Sequence, residues 1–288
     1  MNFNDIYIIN PAYKFRSDKK RCIVTNNNSL FMPNKWEQPD NVNNAISWIV
    51  HPYIAYIFNF FDGTETLGKT LKKLSDITGM EQDELQKAIF PFIENEEQMV
   101  IPIKKFGCYS LPKNFLIKKT DKMPARKPFM FDLNEMMNNL DMVSFRQYIP
   151  NSTCLMLNNN CVADCVYCYA NTAHKVNNYL PFERIKELIS EASLLQMNDF
   201  EIGGGDFFMY QYWKELLPEL IKHEFMPYIS TKYPINEEII EVLKQYSIPG
   251  VQLSLDSVDN EEIKKMLNVN DGYLEKVKRG FHLLRDKK

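Results

Sequence analysis

From Cys154 onward, short apolar runs alternate with longer amphipathic segments, and this alternation restricts the second half of the chain to a parallel α/β architecture. Cys154–Leu157, Phe200–Ile202, Tyr228–Thr231 and Val251–Leu255 read as strands. Between and after them, Pro181–Met197, Tyr210–His223, Asn236–Tyr246 and Tyr273–Leu284 read as helices. Pro181 suits a first helical turn, Pro218 is a candidate kink, and Asn236 is a good N-cap. Four βα units in succession predict right-handed crossovers and an open sheet or a barrel.

The first half follows another pattern. Ile6, Ile8 and Ile9, then Cys22, Ile23 and Val24, flank a polar turn and predict a β-hairpin. His51–Phe61 reads as a helix ended by Asp62-Gly63. Thr64 or Thr66 would cap a second helix, with Leu67, Leu71, Leu74 and Ile77 at helical spacing and Gly79 as its stop. A third starts near Glu81, with Leu85, Ile89, Phe92 and Ile93 on one face. Met99–Ile103 and Phe106–Leu111 look like the two strands of a wing, and Pro102 suits an edge. From Pro112 to Pro150, Lys118, Lys119, Lys122, Arg126 and Lys127 stand among prolines without a lasting period, which predicts a linker with some helix around Leu133–Leu140. The expected organisation is a winged-helix-like α+β domain over 1–111, a linker over 112–150 and an α/β core over 151–288.

The chain has 288 residues, 45% hydrophobic and 25% charged, which is enough to build a core. A net charge of −3 gives no electrostatic case for nucleic acid. Met1–Phe15 lack a signal-peptide core. The longest stretch free of Asp, Glu, Lys and Arg, Asn41–Phe61, begins with a polar part and is interrupted by Pro52, so no membrane span is expected. A cytoplasmic protein is the expectation. Of six cysteines, Cys22, Cys108 and Cys154 read as ordinary buried thiols.

Cys161, Cys165 and Cys168 are different. They crowd one loop between the first strand and the first helix of the α/β half, the active-site end of such a sheet. Three thiolates on a tight loop each suit one iron of a cubane, leaving the fourth iron open for a ligand such as the amino and carboxylate groups of a methionine. The competing reading is a Cys3His zinc site completed by His174, although zinc ligands usually arrive as two separated pairs. Three further motifs end the later strands: Gly203-Gly204-Gly205-Asp206, Ser230-Thr231-Lys232 and Ser254-Leu255-Asp256-Ser257. Glycines allow close backbone approach to a ligand, Lys232 offers charge to a carboxylate, and Ser254 and Asp256 offer groups that bind hydroxyls. Each alone is equally an ordinary strand end or helix cap.

The spacing Cys161–Cys165–Cys168, with Tyr167 as the aromatic before the last cysteine, resembles the signature of the radical S-adenosylmethionine (SAM) superfamily. The resemblance implies a partial (β/α)6 barrel holding a [4Fe-4S] cluster on the three cysteines. It also implies SAM contacts at Tyr167, Gly204, Gly205, Asp206, Ser230, Lys232, Ser254 and Asp256. Asp206 stands where the family has Glu, and Phe207 where it often has Pro. The implied activity is reductive cleavage of SAM to methionine and a 5′-deoxyadenosyl radical that abstracts hydrogen. An electron donor such as a flavodoxin or ferredoxin is implied as a partner.

The first half, from His51-Pro52-Tyr53 through Phe61-Asp62-Gly63 to Glu94-Asn95, is similar to the recognition domain of enzymes that make ribosomal peptide natural products. That implies a precursor peptide bound through its leader by strand addition. The two halves together imply a maturase of the SPASM-type lineage. A radical SAM enzyme acting on a small molecule and a non-enzymatic zinc or peptide-binding module are the alternatives. The family barrel has six βα units and its peptide maturases carry later cysteines, so a C-terminally truncated chain, poorly soluble or inactive alone, is the expectation.

Overall fold

The computed structural model describes residues 2–26, 47–103, 107–121, 123, 125–144, 146–169, 179–248 and 250–286. They form two compact units that divide between Pro150 and Asn151. Among the described residues no helix is long and apolar enough to cross a membrane.

The first unit contains β1 (Ile6–Ile9), β2 (Tyr13–Ser17), β3 (Cys22–Asn26), β4 (Ser47–Val50), α1 (Pro52–Phe58), β5 (Asp62–Thr66), α2 (Leu67–Thr78), α3 (Gln82–Ile89), β6 (Met99–Ile103), β7 (Gly107–Leu111), β8 (Leu116–Lys118) and α4 (Leu133–Asn138). Its antiparallel sheets have the orders β5-β1-β8, β2-β3-β4 and β6-β7. The expected hairpin exists, but its first strand is β2 and not Ile6–Ile9. Tyr-Lys-Phe-Arg-Ser alternates apolar and polar residues, as a half-buried strand requires. The turn closes through Asp18 N–H donating to Arg21 O at 2.9 Å. Ile6–Ile9 is instead the central strand between β5 and β8, with Ile8 fully buried.

Asp62-Gly63 follows the first helix as expected, but opens strand β5. Gly63 has φ +83°, and a Cβ there would meet Ile8 Cδ1 at 2.9 Å, so β5 reaches the irregular β1 pairing only without a side chain. Thr66 is the N-cap residue of α2, and Gly79 ends that helix in the left-handed conformation at φ +71°. Leu67, Leu71 and Leu74 are buried, whereas Ile77 is exposed. The face of α3 ends at Ile89, and a short 3₁₀ turn, Phe90–Phe92, carries Phe92 into the core. Phe58 meets Phe92 and Phe115 edge-on at 5.3 and 5.1 Å, the geometry favoured by ring quadrupoles. Strands β6 and β7 form the expected wing hairpin.

Residues 112–150 carry more than linker structure. β8 pairs with β1, Phe115 and Leu116 are fully buried, and Met136 of α4 lies in the same core. Arg126 N–H donates to Asp62 O at 2.8 Å and its guanidinium to Tyr13 O at 3.0 Å. Side chains so dispersed in sequence produce no local period, which is why the segment reads as irregular.

The second unit contains β9 (Ser152–Met156), α5 (Phe182–Leu194), β10 (Asp199–Gly203), α6 (Trp213–Lys222), β11 (Ile229–Thr231), α7 (Glu237–Gln245), β12 (Val251–Leu253), α8 (Asn260–Leu267) and α9 (Tyr273–Asp286). The four expected βα units are present, with α8 added between β12 and α9. β9 pairs in parallel with β10, and β11 with β12. Helix α5 buries Ile185, Ile189 and Ala192, one stripe at helical spacing. Asn236 caps α7 by accepting from Ile239 N–H at 2.9 Å. Cys154 corrects an expectation: it is exposed, on the face of β9 shared with Ser152 and Met156. Cys22 is buried as expected, and the Cys108 side chain lies outside the described residues.

Candidate functional site

After β9 the chain runs beside the loop that follows β10. Leu157 N–H donates to Gly203 O at 3.1 Å, Gly205 N–H to Asn158 O at 2.6 Å, and Asp206 N–H to Asn160 O at 2.7 Å. A Cβ on Gly204, which has φ +118°, would stand 2.3 Å from Asn158 O, and one on Gly205 would stand 2.0 Å from Asn160 O. The glycine run therefore admits a neighbouring backbone as well as any ligand. This contact sets the point at which the chain enters Cys161.

The cysteine loop is then anchored on the end of α8, where Asp164 N–H donates to Leu267 O at 2.8 Å and Val166 N–H to Met266 O at 2.9 Å. Cys168 N–H closes a tight turn on Cys165 O at 3.0 Å. None of the three cysteines is in a disulfide, and all three are half-buried. Burial pushes the Cys161 and Cys165 thiols up from their ordinary range. Among the described residues no group of three His, Cys, Asp or Glu closes on one metal ion. A cubane takes three thiolates on three separate irons, and three cysteines on one loop outside any disulfide are a donor set of that kind. His174 lies outside the described residues.

Three loops at the C-terminal ends of the strands meet beside this triplet. Tyr167, from the cysteine loop, donates its hydroxyl to Asp256 Oδ1, and Lys232 pairs with Asp256 Oδ2. The Lys232 ammonium also stands 5.7 Å from the centre of the Tyr167 ring. Burial opposes the charge on Asp256, but the hydrogen bonds from Lys232 and Tyr167 outweigh it and hold the carboxyl below its usual range. For Lys232, burial pulls downward, and its bonds to Asp256 and Tyr167 leave it raised. The Tyr273 hydroxyl donates to Lys232 O at 2.7 Å.

Asp206 is buried, only 2% exposed. Its Oδ2 accepts from the Thr231 hydroxyl at 2.6 Å, Lys232 N–H at 3.1 Å and Tyr233 N–H at 3.2 Å, and its Oδ1 from Phe208 N–H at 3.0 Å. Burial raises its pKa despite these bonds. Ser230 is exposed on β11, and Ser254 is half-buried, with its N–H donating to Thr231 O at 2.9 Å. The structure thus gathers Tyr167, Lys232 and Asp256, and ties Asp206 to the Lys232 loop. Sequence reasoning passed over Thr231, although strand alternation beside Ser230 turns it inward. Tyr273, on a distant helix, carried no local signal.

Residues 155–288 match the family described as the Radical SAM superfamily. No curated protein matches the chain. Among solved structures, Streptococcus suis SuiB bound to S-adenosylmethionine is similar over 97% of this chain and 54% of that one, at 13% identity and a TM-score of 0.55. SuiB bound to precursor peptide SuiA is similar over 97% and 55%, at 14% identity and a TM-score of 0.53. At such identity the likeness is one of fold, and the chain spans about half the length of the structures it matches.

Proposed function

We propose, from the premise that residues 155–288 are a radical SAM domain, that this radical SAM enzyme modifies a ribosomally made precursor peptide held through its leader. The observation that carries the reading is the triplet Cys161, Cys165 and Cys168, held outside any disulfide on one loop whose Tyr167 meets Lys232 and Asp256. The peptide part draws support from the first unit, whose three sheets, the wing hairpin among them, belong to a chain that shares a fold with SuiB, a protein solved with its precursor peptide. An antiparallel sheet edge offers main-chain groups to an added strand.

In this reading the three cysteines hold the [4Fe-4S] cluster. When bound, the cluster and SAM together supply a carbon radical able to take hydrogen from an unactivated C–H bond. Lys232 would offer its ammonium to the SAM carboxylate, Asp256 and Ser254 would offer acceptors and a hydroxyl to the ribose, and Tyr167 would serve the adenine. Gly204, Gly205 and Ser230 line the same strand ends. Ordered loops on short strands hold these groups before ligand arrives, which limits the ordering cost of binding. A small acidic electron carrier, a flavodoxin or ferredoxin, is the proposed donor.

Anaerobic reconstitution tests the reading. Wild type should take up iron and sulfide with a brown absorbance that Cys165→Ala lacks, and should release 5′-deoxyadenosine on reduction with SAM. A precursor peptide encoded beside the gene should bind the full chain and change mass. Colourless protein with iron absent overturns the enzyme reading; turnover without peptide binding overturns the peptide part alone.

A further inference from the structure

We infer that Asp206 is a positioning residue for the SAM site, acting through Lys232, and not itself a ligand of SAM. The inference deepens the reading in which Lys232 and Asp256 meet SAM, and rests on it.

Four protein donors occupy the Asp206 carboxylate, and the side chain is closed off from solvent. Three of them share Oδ2 and one holds Oδ1, so a ligand ammonium would have to enter a buried space to reach what remains of Oδ1. Three of the four donors, the Thr231 hydroxyl and the N–H groups of Lys232 and Tyr233, belong to the turn that leaves β11. That turn carries the Lys232 side chain to Asp256 and Tyr167. Asp206 therefore fixes the backbone from which Lys232 projects. The Tyr233 N–H is shared with the Thr231 hydroxyl oxygen at 2.8 Å, so Thr231 is a relay within the same turn. Tyr273 holds the carbonyl of Lys232 from the other side.

The shorter acid fits this role. The side chain of Asp206 also caps its own 3₁₀ turn, Phe207–Met209, by accepting from Phe208 N–H. A carboxylate one methylene from the backbone reaches that N–H two residues on, as in an Asx turn. Asp206 thereby links the loop after β10 to the turn after β11, two strands that do not pair with each other among the described residues.

The test is a double-mutant cycle on the full chain with its cluster, read as the Kd for S-adenosylhomocysteine and the KM for SAM. Asp206→Asn should weaken both about tenfold with a much smaller change in kcat. Thr231→Val, which removes a donor that touches no ligand, should reproduce several-fold of that loss, and Thr231→Ser should recover it. In a Lys232→Met background the Asp206→Asn cost should shrink to less than about twofold, because its effect runs through Lys232. Full additivity of the two changes, with Thr231→Val silent, shows direct contact and overturns the inference alone. A Lys232→Met protein that binds as tightly as wild type overturns both the assignment of Lys232 to SAM and the inference. Should Asp206→Asn fail to fold, the Thr231→Val and Lys232→Met cycle decides the same question.

Discussion

Gly205 and Asn160 approach so closely that a Cβ on the glycine would stand 2.0 Å from the Asn160 carbonyl oxygen. Real side chains do not tolerate such a distance, so Gly205→Ala must push the Asn158–Asn160 segment away and shift the start of the cysteine loop. The expected outcome is a lower melting temperature and roughly half or less of the wild-type iron content after reconstitution. Gly250→Ala is the control, because a Cβ there meets nothing within 4 Å. Equal iron loading in the two variants would remove the packing role assigned to the glycine run.

The cysteines outside the triplet should differ in reactivity. Cys154 is exposed on β9, whereas Cys22 is fully buried beside Met136. Burial first, and then the charge of Asp18, push the Cys22 thiol well above its ordinary range. Thiolate and access both govern alkylation. Iodoacetamide on the folded protein should label Cys154 within minutes and leave Cys22 unlabelled until urea is added, as read by peptide mass. Similar rates at both sites would contradict the placement of Cys154.

Asp18 is the counter-charge of a buried basic pair. Its Oδ2 accepts from Arg21 Nε at 2.9 Å with both side chains fully buried, and its Oδ1 accepts from Tyr148 and Ile149 N–H at 2.7 and 2.8 Å. Arg16 is also fully buried; burial pushes its pKa down and the Asp18 charge resists. Asp18→Ala would leave two guanidinium groups in the interior without that carboxylate. The expected loss is about 3–5 kcal/mol, seen as a lower urea midpoint. A loss below about 1 kcal/mol would show that the pair is solvated in solution.

His51 should give the first unit a pH dependence. Its Nδ1 accepts from Tyr53 N–H at 3.3 Å at the start of α1, and its ring stacks on Tyr53. Burial lowers its pKa, so folding disfavours the imidazolium. The unfolded chain then binds more protons, and stability rises with pH from the folded pKa up to the ordinary value near 6.5. As the pH falls below that window the cap loses its acceptor. His51→Asn, a cap without a titrating group, should flatten the melting temperature between about pH 7 and 5 relative to wild type. Parallel curves for the two proteins would refute this.

Much of the second unit is legible in the sequence. The four βα units, the cap at Asn236 and the place of Cys161, Cys165 and Cys168 between a strand and a helix all follow from residues within a few positions of each other, where side-chain period and capping act. The same holds for the stop at Gly79 and for the wing strands. Tertiary structure decided the rest. Which strand Ile6–Ile9 would join depended on partners near residues 62 and 117, and the true hairpin began at Tyr13. Residues 112–150 joined a core through single residues too far apart to make a period. The backbone contact behind Gly205 and the four donors on Asp206 come from loops brought together only by the sheet. Local sequence sets φ, ψ and the buried face of each element, but which elements meet is settled by packing among residues distant in the chain, and the site is built from those meetings.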